Sequence, residues 1–213
     1  MIFLKNNASF YFIETTNSTN LLINEIVEKQ QEDGVRLPDF FCVATNYQTA
    51  GKGQGSKVWM SNKGENILAS FYFQSAILPN QQIYFNYFFA LTIRKVLSQY
   101  IENVAIKKPN DIYAGDKKIV GILIEHHIQG DTLKYSVAGV GINVNQTQFD
   151  PALSQPTSLK LITGKEFSRE KILEEIVQTG KEYYNKLQNN GFKELENEYE
   201  SYVKIFKIEE KSH

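Results

Sequence analysis

The sequence predicts an α+β fold, a mixed and largely antiparallel sheet flanked by helices. Three observations carry that prediction. Four stretches repeat apolar residues at helical spacing, and five others read as strands by β-branched and aromatic content. The last two strand-like runs are joined only by Gln129-Gly130-Asp131, a link short enough to be a hairpin. Helices bordering such a sheet give a layered α+β architecture.

Taken in order, the first helix follows Asn17-Ser18-Thr19-Asn20, a cluster of good N-cap residues, and carries Leu22/Ile26 and Ile23/Val27 at i, i+4 spacing. Residues 40–45 and 66–73 read as strands. A second helix is predicted over residues 83–100, with Phe85, Phe88, Phe89, Thr92, Val96 and Leu97 on one stripe. Strand-like runs follow at 104–107, 118–127 and 133–144. Period 2 in the second of these puts Lys118, Val120, Ile122 and Ile124 on one face and Ile119, Gly121 and Leu123 on the other. A third helix starts at Ser168 and carries Ile172, Ile176, Val177, Tyr183, Tyr184 and Leu187. The fourth follows Asn190-Gly191, with Phe192, Leu195, Tyr199, Tyr202, Val203 and Phe206 as its stripe. These last helices read as a cover over the sheet.

The 213 residues suffice for one substantial core or two small ones. Lys plus Arg number 23 and Asp plus Glu 24, so the net charge is -1 and the basic field of a nucleic-acid binder is missing. No apolar run approaches a membrane span, and Lys5-Asn6-Asn7 interrupts the apolar start before it resembles a signal peptide. A soluble, cytoplasmic protein is expected. The single cysteine, Cys42, excludes an internal disulfide and reads as a buried structural thiol. His126 and His127 are adjacent and point to opposite faces of a strand, His213 is terminal, and none is expected to be catalytic.

Four segments carry chemistry. Gln48-Thr49-Ala50-Gly51-Lys52-Gly53-Gln54-Gly55-Ser56-Lys57-Val58-Trp59 combines three glycines, which let backbone amides turn toward an anion, with two lysines and an aromatic ring. It is neither a P-loop nor a dinucleotide fingerprint, because Ser56 stands where either would need glycine. A mobile, solvated turn explains it equally well. Pro109-Asn110-Asp111 puts an amide and a carboxylate at a strand end, where a plain turn is the simpler account. In Lys118-Ile119-Val120-Gly121-Ile122-Leu123-Ile124-Glu125, a lysine leads into an apolar strand and Gly121 permits close approach of a ligand. Gly139-Val140-Gly141-Ile142-Asn143 repeats that logic with a terminal amide.

Together and in this order, Ser18-Thr19-Asn20, the 48–59 loop, Pro109-Asn110-Asp111, the 118–125 strand and Gly139 to Asn143 resemble the catalytic domain of biotin protein ligases. The resemblance spans residues 10–205 and implies the fold shared with lipoyl ligases and class II aminoacyl-tRNA synthetases. It implies ATP-dependent activation of biotin to biotinyl-5′-AMP, then transfer of biotin to a lysine of a biotin carboxyl carrier domain. Carried over by position, it implies that Ser18, Thr19, Asn20, Gln48, Gly51, Lys52, Gly53, Gln54, Lys118, Gly121 and Gly139 bind biotin. Lys52, Gln54, Lys57, Trp59, Asn110, Asp111, Lys118, Gly141 and Asn143 would bind ATP. Lys118, Lys52 and Asp111 would be catalytic, with Mg2+ carried mainly by the phosphates and Asp111 its one candidate protein ligand.

Three positions depart from the family pattern. Gly51-Lys52-Gly53 stands for Gly-Arg-Gly, Gln54 for a second arginine, and Lys108 for the tryptophan before Pro-Asn-Asp. Lysine keeps the charge and loses the planar fork of arginine. The alternatives are a lipoate or octanoate ligase, disfavoured because the chain has no Arg-Arg pair, and a catalytically impaired biotin-binding paralogue. By the same resemblance, residues 1–213 form a single catalytic domain without the winged helix-turn-helix or SH3-like domains of larger relatives. A monomer or a homodimer is expected, the latter joined through an exposed edge at 133–144. Neither nucleic acid nor membrane is an expected partner.

Overall fold

A computed structural model describes residues 2–5, 8–74 and 77–205. Strands β1 (Ile2–Lys5) and β2 (Ala8–Thr16) pair antiparallel; helix α1 (Thr19–Glu32) then leads to β3 (Phe41–Gln48), which runs parallel to β2. Strand β4 (Ile67–Gln74) returns antiparallel to β3 and is followed by helix α2 (Gln82–Leu97). Strands β5 (Val104–Lys107), β6 (Asp111–Ala114), β7 (Lys117–Gln129) and β8 (Thr132–Ile142) come next, and helices α3 (Leu159–Thr163), α4 (Arg169–Gln188) and α5 (Phe192–Ser201) close the chain. One eight-stranded sheet results, in the order β1-β2-β3-β4-β8-β7-β6-β5. Only β2 and β3 pair in parallel, so the sheet is mixed and largely antiparallel as expected.

Each face of the sheet buries its own core. On one side the i, i+4 stripe of α1 puts Ile23 and Val27 against Phe41, Val43, Tyr72, Tyr135 and Val137. On the other, α2 lies beneath α4 and α5 and is buried nearly all round, which its continuous apolar sequence demands. Phe73 is the centre of that second core, with the rings of Phe40, Phe85, Phe88, Phe89 and Tyr184 packed around it. Ser168 caps α4 by accepting from Lys171 N–H at 3.1 Å. Cys42 is wholly buried here, and burial pushes its thiol well above the ordinary range.

Several sequence expectations are corrected. Strand β8 is not an edge but the centre of the sheet, bonded to β4 on one side and β7 on the other, so it offers no edge to a second chain. The unbroken burial of residues 135–142 is the physical reason, since a strand covered on both faces shows no alternation. The outermost strands are β1 and β5, and β5 exchanges backbone bonds with the segment after α5 (Ile106 N–H to Tyr202 O and Lys204 N–H to Ile106 O, both 2.9 Å). Helix α5 stops at Ser201, so Tyr202 and Val203 lie past it, and Phe206 lies outside the described residues. Strands β1, β2 and β6 and helix α3 were not expected. Among the described residues, no helix is long and apolar enough to cross a membrane.

The two histidines do face opposite ways. His126 Nδ1 lies 2.8 Å from Ser136 Oγ, with its ring edge-on to Phe85, whereas His127 stacks on Tyr135 at 4.1 Å. Burial lowers both below the usual value of 6.5; His127 adds to the effect on His126, while Glu125 and Glu28 partly offset it on His127. The unfolded chain therefore takes up protons first as pH falls below 6.5, and stability is lost from there downward. Replacing His127 by Phe keeps the stacked ring and removes one titrating group. Urea midpoints measured between pH 7.5 and 5.5 are expected to fall less steeply for His127→Phe than for the wild type; parallel slopes would contradict this assignment.

Candidate functional site

A cavity of about 550 Å³ opens on the α1 side of the sheet, over β7 and β8. Helix α1 covers β3, β4 and β8 but leaves the next strands bare, and the cavity fills that space. Its floor is made by backbone. Gly121 and Gly141 are direct cross-strand partners, and the Trp59 indole lies flat on the pair. A Cβ at Gly121 would sit 2.7 Å from the ring, and one at Gly141 only 2.2 Å. Gly139 admits a different neighbour, since a Cβ there would meet Asn20 Oδ1 at 2.2 Å. These glycines thus seat protein groups that line the cavity.

The loop bearing Trp59 is a small hairpin. Trp59 N–H donates to Gly51 O at 3.0 Å, Gly53 N–H to Lys57 O at 2.8 Å, and Lys57 N–H to Gln54 O at 3.3 Å. Gly55 turns it with φ +65°, which a residue with a Cβ adopts poorly. The sequence suggested amides turned toward an anion; these three are spent inside the loop. What the loop presents is side chains, with Lys52, Gln54 and Lys57 exposed at the cavity mouth. Gly51 is the one expected site residue that does not line the cavity. It is buried behind the wall, where a Cβ would meet Trp59 O at 2.5 Å and Gln48 Nε2 at 3.0 Å.

Lys118 reaches the cavity through an irregularity in β7. Asp111 pairs with Gly121 and Ile112 with Val120, but Tyr113 pairs with Lys118, leaving Ile119 as an extra residue. That bulge breaks the period-2 expectation: Val120 and Ile122 stay in the core, while Lys118 joins the face of Gly121, whose Cβ would lie 3.7 Å from Lys118 Cε. The backbone of Lys118 is held from the other side, donating to Gln155 O and accepting from Thr157 N–H, each at 2.9 Å. Its Nζ lies 2.7 Å from Asp111 Oδ1 and 5.8 Å from the centre of the Trp59 ring. Both partners of the ion pair are about 30% exposed, so solvent and ligand reach them.

The turn before Asp111 is fixed from three sides. Asn110 Nδ2 donates to Ile122 O, and Ile122 N–H donates back to Asn110 O at 3.2 Å. Tyr199 Oη of α5 donates to Pro109 O at 2.8 Å. Lys108 pairs with Glu200 at 2.6 Å, a half-exposed contact that solvent screens. Asn143 is buried and donates through Nδ2 to Thr157 O at 2.9 Å, while its Oδ1 has no partner. Trp59 Nε1 is likewise buried without a partner. Both atoms belong to residues of the cavity wall.

At the inner end of the cavity, Ser18, Thr19 and Asn20 open α1 and are all buried. Thr19 N–H donates to Gln48 Oε1 at 2.7 Å, which fixes the Gln48 amide with its NH2 group turned the other way. Four oxygens then form a row: Gln48 Oε1 to Thr19 Oγ1 at 3.1 Å, Thr19 Oγ1 to Ser70 Oγ at 2.7 Å, and Ser70 Oγ to Asn20 Oδ1 at 2.5 Å. The two amide oxygens bring no proton and the two hydroxyls bring one each. Two protons cannot fill three contacts. They suit the two short ones, so the 3.1 Å contact is left as two facing acceptors. Asn20 Nδ2 donates outward to Glu125 Oε2 at 2.6 Å, with Leu123 O more distant at 3.5 Å.

Every other expected site residue lines this one cavity. Sequence reasoning missed Ser70 and Glu125, each a lone polar residue in or at the end of an apolar strand run, which was a signal available to read. It also missed Lys107, Tyr113 and the segment from Phe149 to Pro156. That segment has no periodicity of its own and is placed by its backbone bonds to Lys118. The ionisable lining otherwise is lopsided, with Lys52, Lys57, Lys107 and Lys118 against the single carboxylate Asp111.

Fold and site together define an α+β domain, a helix-flanked sheet whose cavity is polar and uncharged at one end and cationic at the other. The chain belongs to the biotin/lipoate A/B protein ligase family, whose model matches residues 10–143. It is 30% identical over 197 residues to the bifunctional ligase/repressor BirA of Bacillus spizizenii, covering 86% of this chain and 59% of that protein. Among solved structures it is similar to the biotin protein ligase from Aquifex aeolicus in complex with biotin and ATP (TM-score 0.73, 24% identity, 91% of this chain and 78% of that one). The biotin protein ligase from Leishmania major in complex with biotinyl-5-AMP gives a TM-score of 0.72 at 19% identity, over 96% of this chain and 86% of that one. At these identities the structures establish the fold.

Trp59 is the only tryptophan, so intrinsic fluorescence reports on its seat. Gly141→Ala is expected to push the indole off the floor, shifting its emission to the red and raising acrylamide quenching while far-UV circular dichroism stays unchanged. Emission identical to the wild type would show that the ring does not rest there.

Proposed function

We propose that this domain activates biotin with ATP to biotinyl-5′-AMP and transfers biotin to a lysine of a biotin carboxyl carrier domain. The observation that carries the reading is the cavity's division into an uncharged hydrogen-bonding end and a lysine-rich end joined by a bare glycine floor. Biotin's ring system offers N–H donors and a carbonyl to the first, and its carboxylate with the ATP phosphates suits the second. Membership of the family supports the same reading.

In the first step a carboxylate oxygen bonds to the α-phosphorus and the bond to pyrophosphate breaks. Both reactants are anionic, so the chain contributes positioning and cationic charge rather than a nucleophile of its own. Lys118 is the lysine fixed best for this work, held by its bulged backbone on one side and by Asp111 on the other. Lys52 and Lys57, on the loop hairpin, reach the phosphates from the mouth, and Gln54 lies between them. Asn143 and Trp59 belong to the same lining and complete the nucleotide side of the cavity. In the second step the acceptor amine attacks the acyl carbon, AMP leaves, and the amine proton passes to a base, for which Asp111 is the carboxylate at hand.

Mg2+ suits a site of this composition when it rides on the phosphates with one protein carboxylate. Among the described residues no group of three or more His, Cys, Asp or Glu side chains could hold a metal by itself, and Asp111 is the only acidic residue of the lining. The ion would supply charge neutralisation at the leaving pyrophosphate.

Biotin-dependent exchange of pyrophosphate into ATP tests the proposal directly. Lys118→Ala is expected to lower that exchange by about 10²-fold or more (~3 kcal/mol), the scale of one lost transition-state donor. Exchange driven by lipoate or octanoate but not biotin would move the chain to the other arm of its family, and none with any acid would leave a binding paralogue.

A further inference from the structure

We propose that Glu125 is a positioning residue that sets the direction of the protons at the inner end of the cavity. The inference rests on the biotin-activation reading above and adds to it a side chain outside the cavity wall. Glu125 is half-buried near the end of the apolar run of β7, and its Oε2 accepts from Asn20 Nδ2 at 2.6 Å. A carboxylate accepts hydrogen bonds and donates none, so Asn20 must turn its NH2 group to Glu125 and its oxygen to Ser70.

The consequence runs along the row of oxygens. Ser70 has a single proton, and Asn20 Oδ1 at 2.5 Å can only receive it. Ser70 Oγ is then the acceptor for the Thr19 hydroxyl at 2.7 Å. Thr19 Oγ1 and Gln48 Oε1 are left 3.1 Å apart with no proton between them. An N–H on a ligand satisfies both, so the vacancy of one proton is a recognition device for a donor such as a ureido nitrogen. Gly139 has no Cβ because Asn20 must come this close to the sheet for the row to form.

Without Glu125 only the long 3.5 Å contact to Leu123 O still asks Asn20 for a donor, and the order can reverse. Asn20 can rotate its amide and donate to Ser70, Ser70 to Thr19, and Thr19 to Gln48. Three protons then fill three contacts, the row is satisfied by itself, and a ligand donor gains nothing by binding. The loss is that of about one hydrogen bond, which corresponds to roughly tenfold in affinity.

Steady-state pyrophosphate exchange on the full chain tests this with three variants, each checked by thermal unfolding. Glu125→Ala is expected to raise the KM for biotin about tenfold, while kcat and the KM for ATP stay within threefold of the wild type. Asn20→Asp sets two carboxylates against each other and is expected to raise the biotin KM at least as much. Combining Asn20→Asp with Glu125→Gln exchanges donor and acceptor without changing the direction of the row, and the biotin KM is expected to return to within threefold of the wild type. A folded Glu125→Ala with unchanged biotin KM overturns the inference, as does a folded double variant no better than Asn20→Asp. If Glu125→Ala does not fold, the swapped pair decides alone. A wild type without biotin-dependent exchange overturns the proposed function and this inference with it, whereas an active wild type with indifferent variants overturns this inference only.

Discussion

The site depends on a constraint of backbone approach: two central strands must be bare where they cross beneath the cavity. Gly121 and Gly141 face each other across β7 and β8, and the Trp59 ring occupies the volume their side chains would take. Gly139, one position farther along the same face, does the same for Asn20. Glycine in a strand interior costs roughly 0.5–1 kcal/mol relative to alanine. Here the surrounding strands β4, β6 and the two helical layers supply the burial that offsets it. The tryptophan seat in turn gives the 51–59 hairpin a fixed point on the sheet, without which its lysines would have no defined relation to Lys118.

A second constraint is the extra residue at Ile119. In a regular strand Lys118 would share the face of Val120 and Ile122 and lie in the core, where an unpaired ammonium is strongly disfavoured. The bulge keeps Ile119, Val120 and Ile122 all buried and still delivers Lys118 to the opposite face. Because its backbone also anchors residues 155–157, one local irregularity positions a charge and a wall of the cavity together.

Much of this was legible in the sequence, and the gaps have physical causes. Helices α2 and α4 announced themselves through long stripes and, for α4, the Ser168 cap; residues 104–107 were read as they stand in the fold, and the hairpin link expected at 129–131 is the two-residue turn Gly130-Asp131, with Gln129 already in β7. Strand β6 was missed because its first residue belongs to Pro109-Asn110-Asp111, which reads as a turn. The edge assigned to residues 133–144 failed because a central strand is apolar on both faces. The face of Lys118 failed because a bulge changes the phase of a strand without changing its composition. Glycines and lysines made the site residues visible, since each departs from what a core strand needs. Ser70 and Glu125 escaped because their role lies in the hydrogen bonds they make to α1, which are more than fifty residues away in sequence or close to it.

The contrast between the two ends of the cavity shows how a chain with net charge -1 can still present a cationic pocket. Its charge is not spread but sorted: four lysines converge on one mouth, and among them stands one carboxylate already engaged by Lys118. The inner end works on a different principle. There the buried groups are neutral, and the selectivity proposed above counts protons rather than charges. Asn20, Ser70, Thr19 and Gln48 can be satisfied in one direction only by accepting a donor from outside, and in the other by needing none. Left to itself such a row favours the direction that fills all its contacts, so the other direction must be set from beyond it. Of the groups bonded to its Asn20 end, the Glu125 carboxylate makes the shorter contact, and it can only accept.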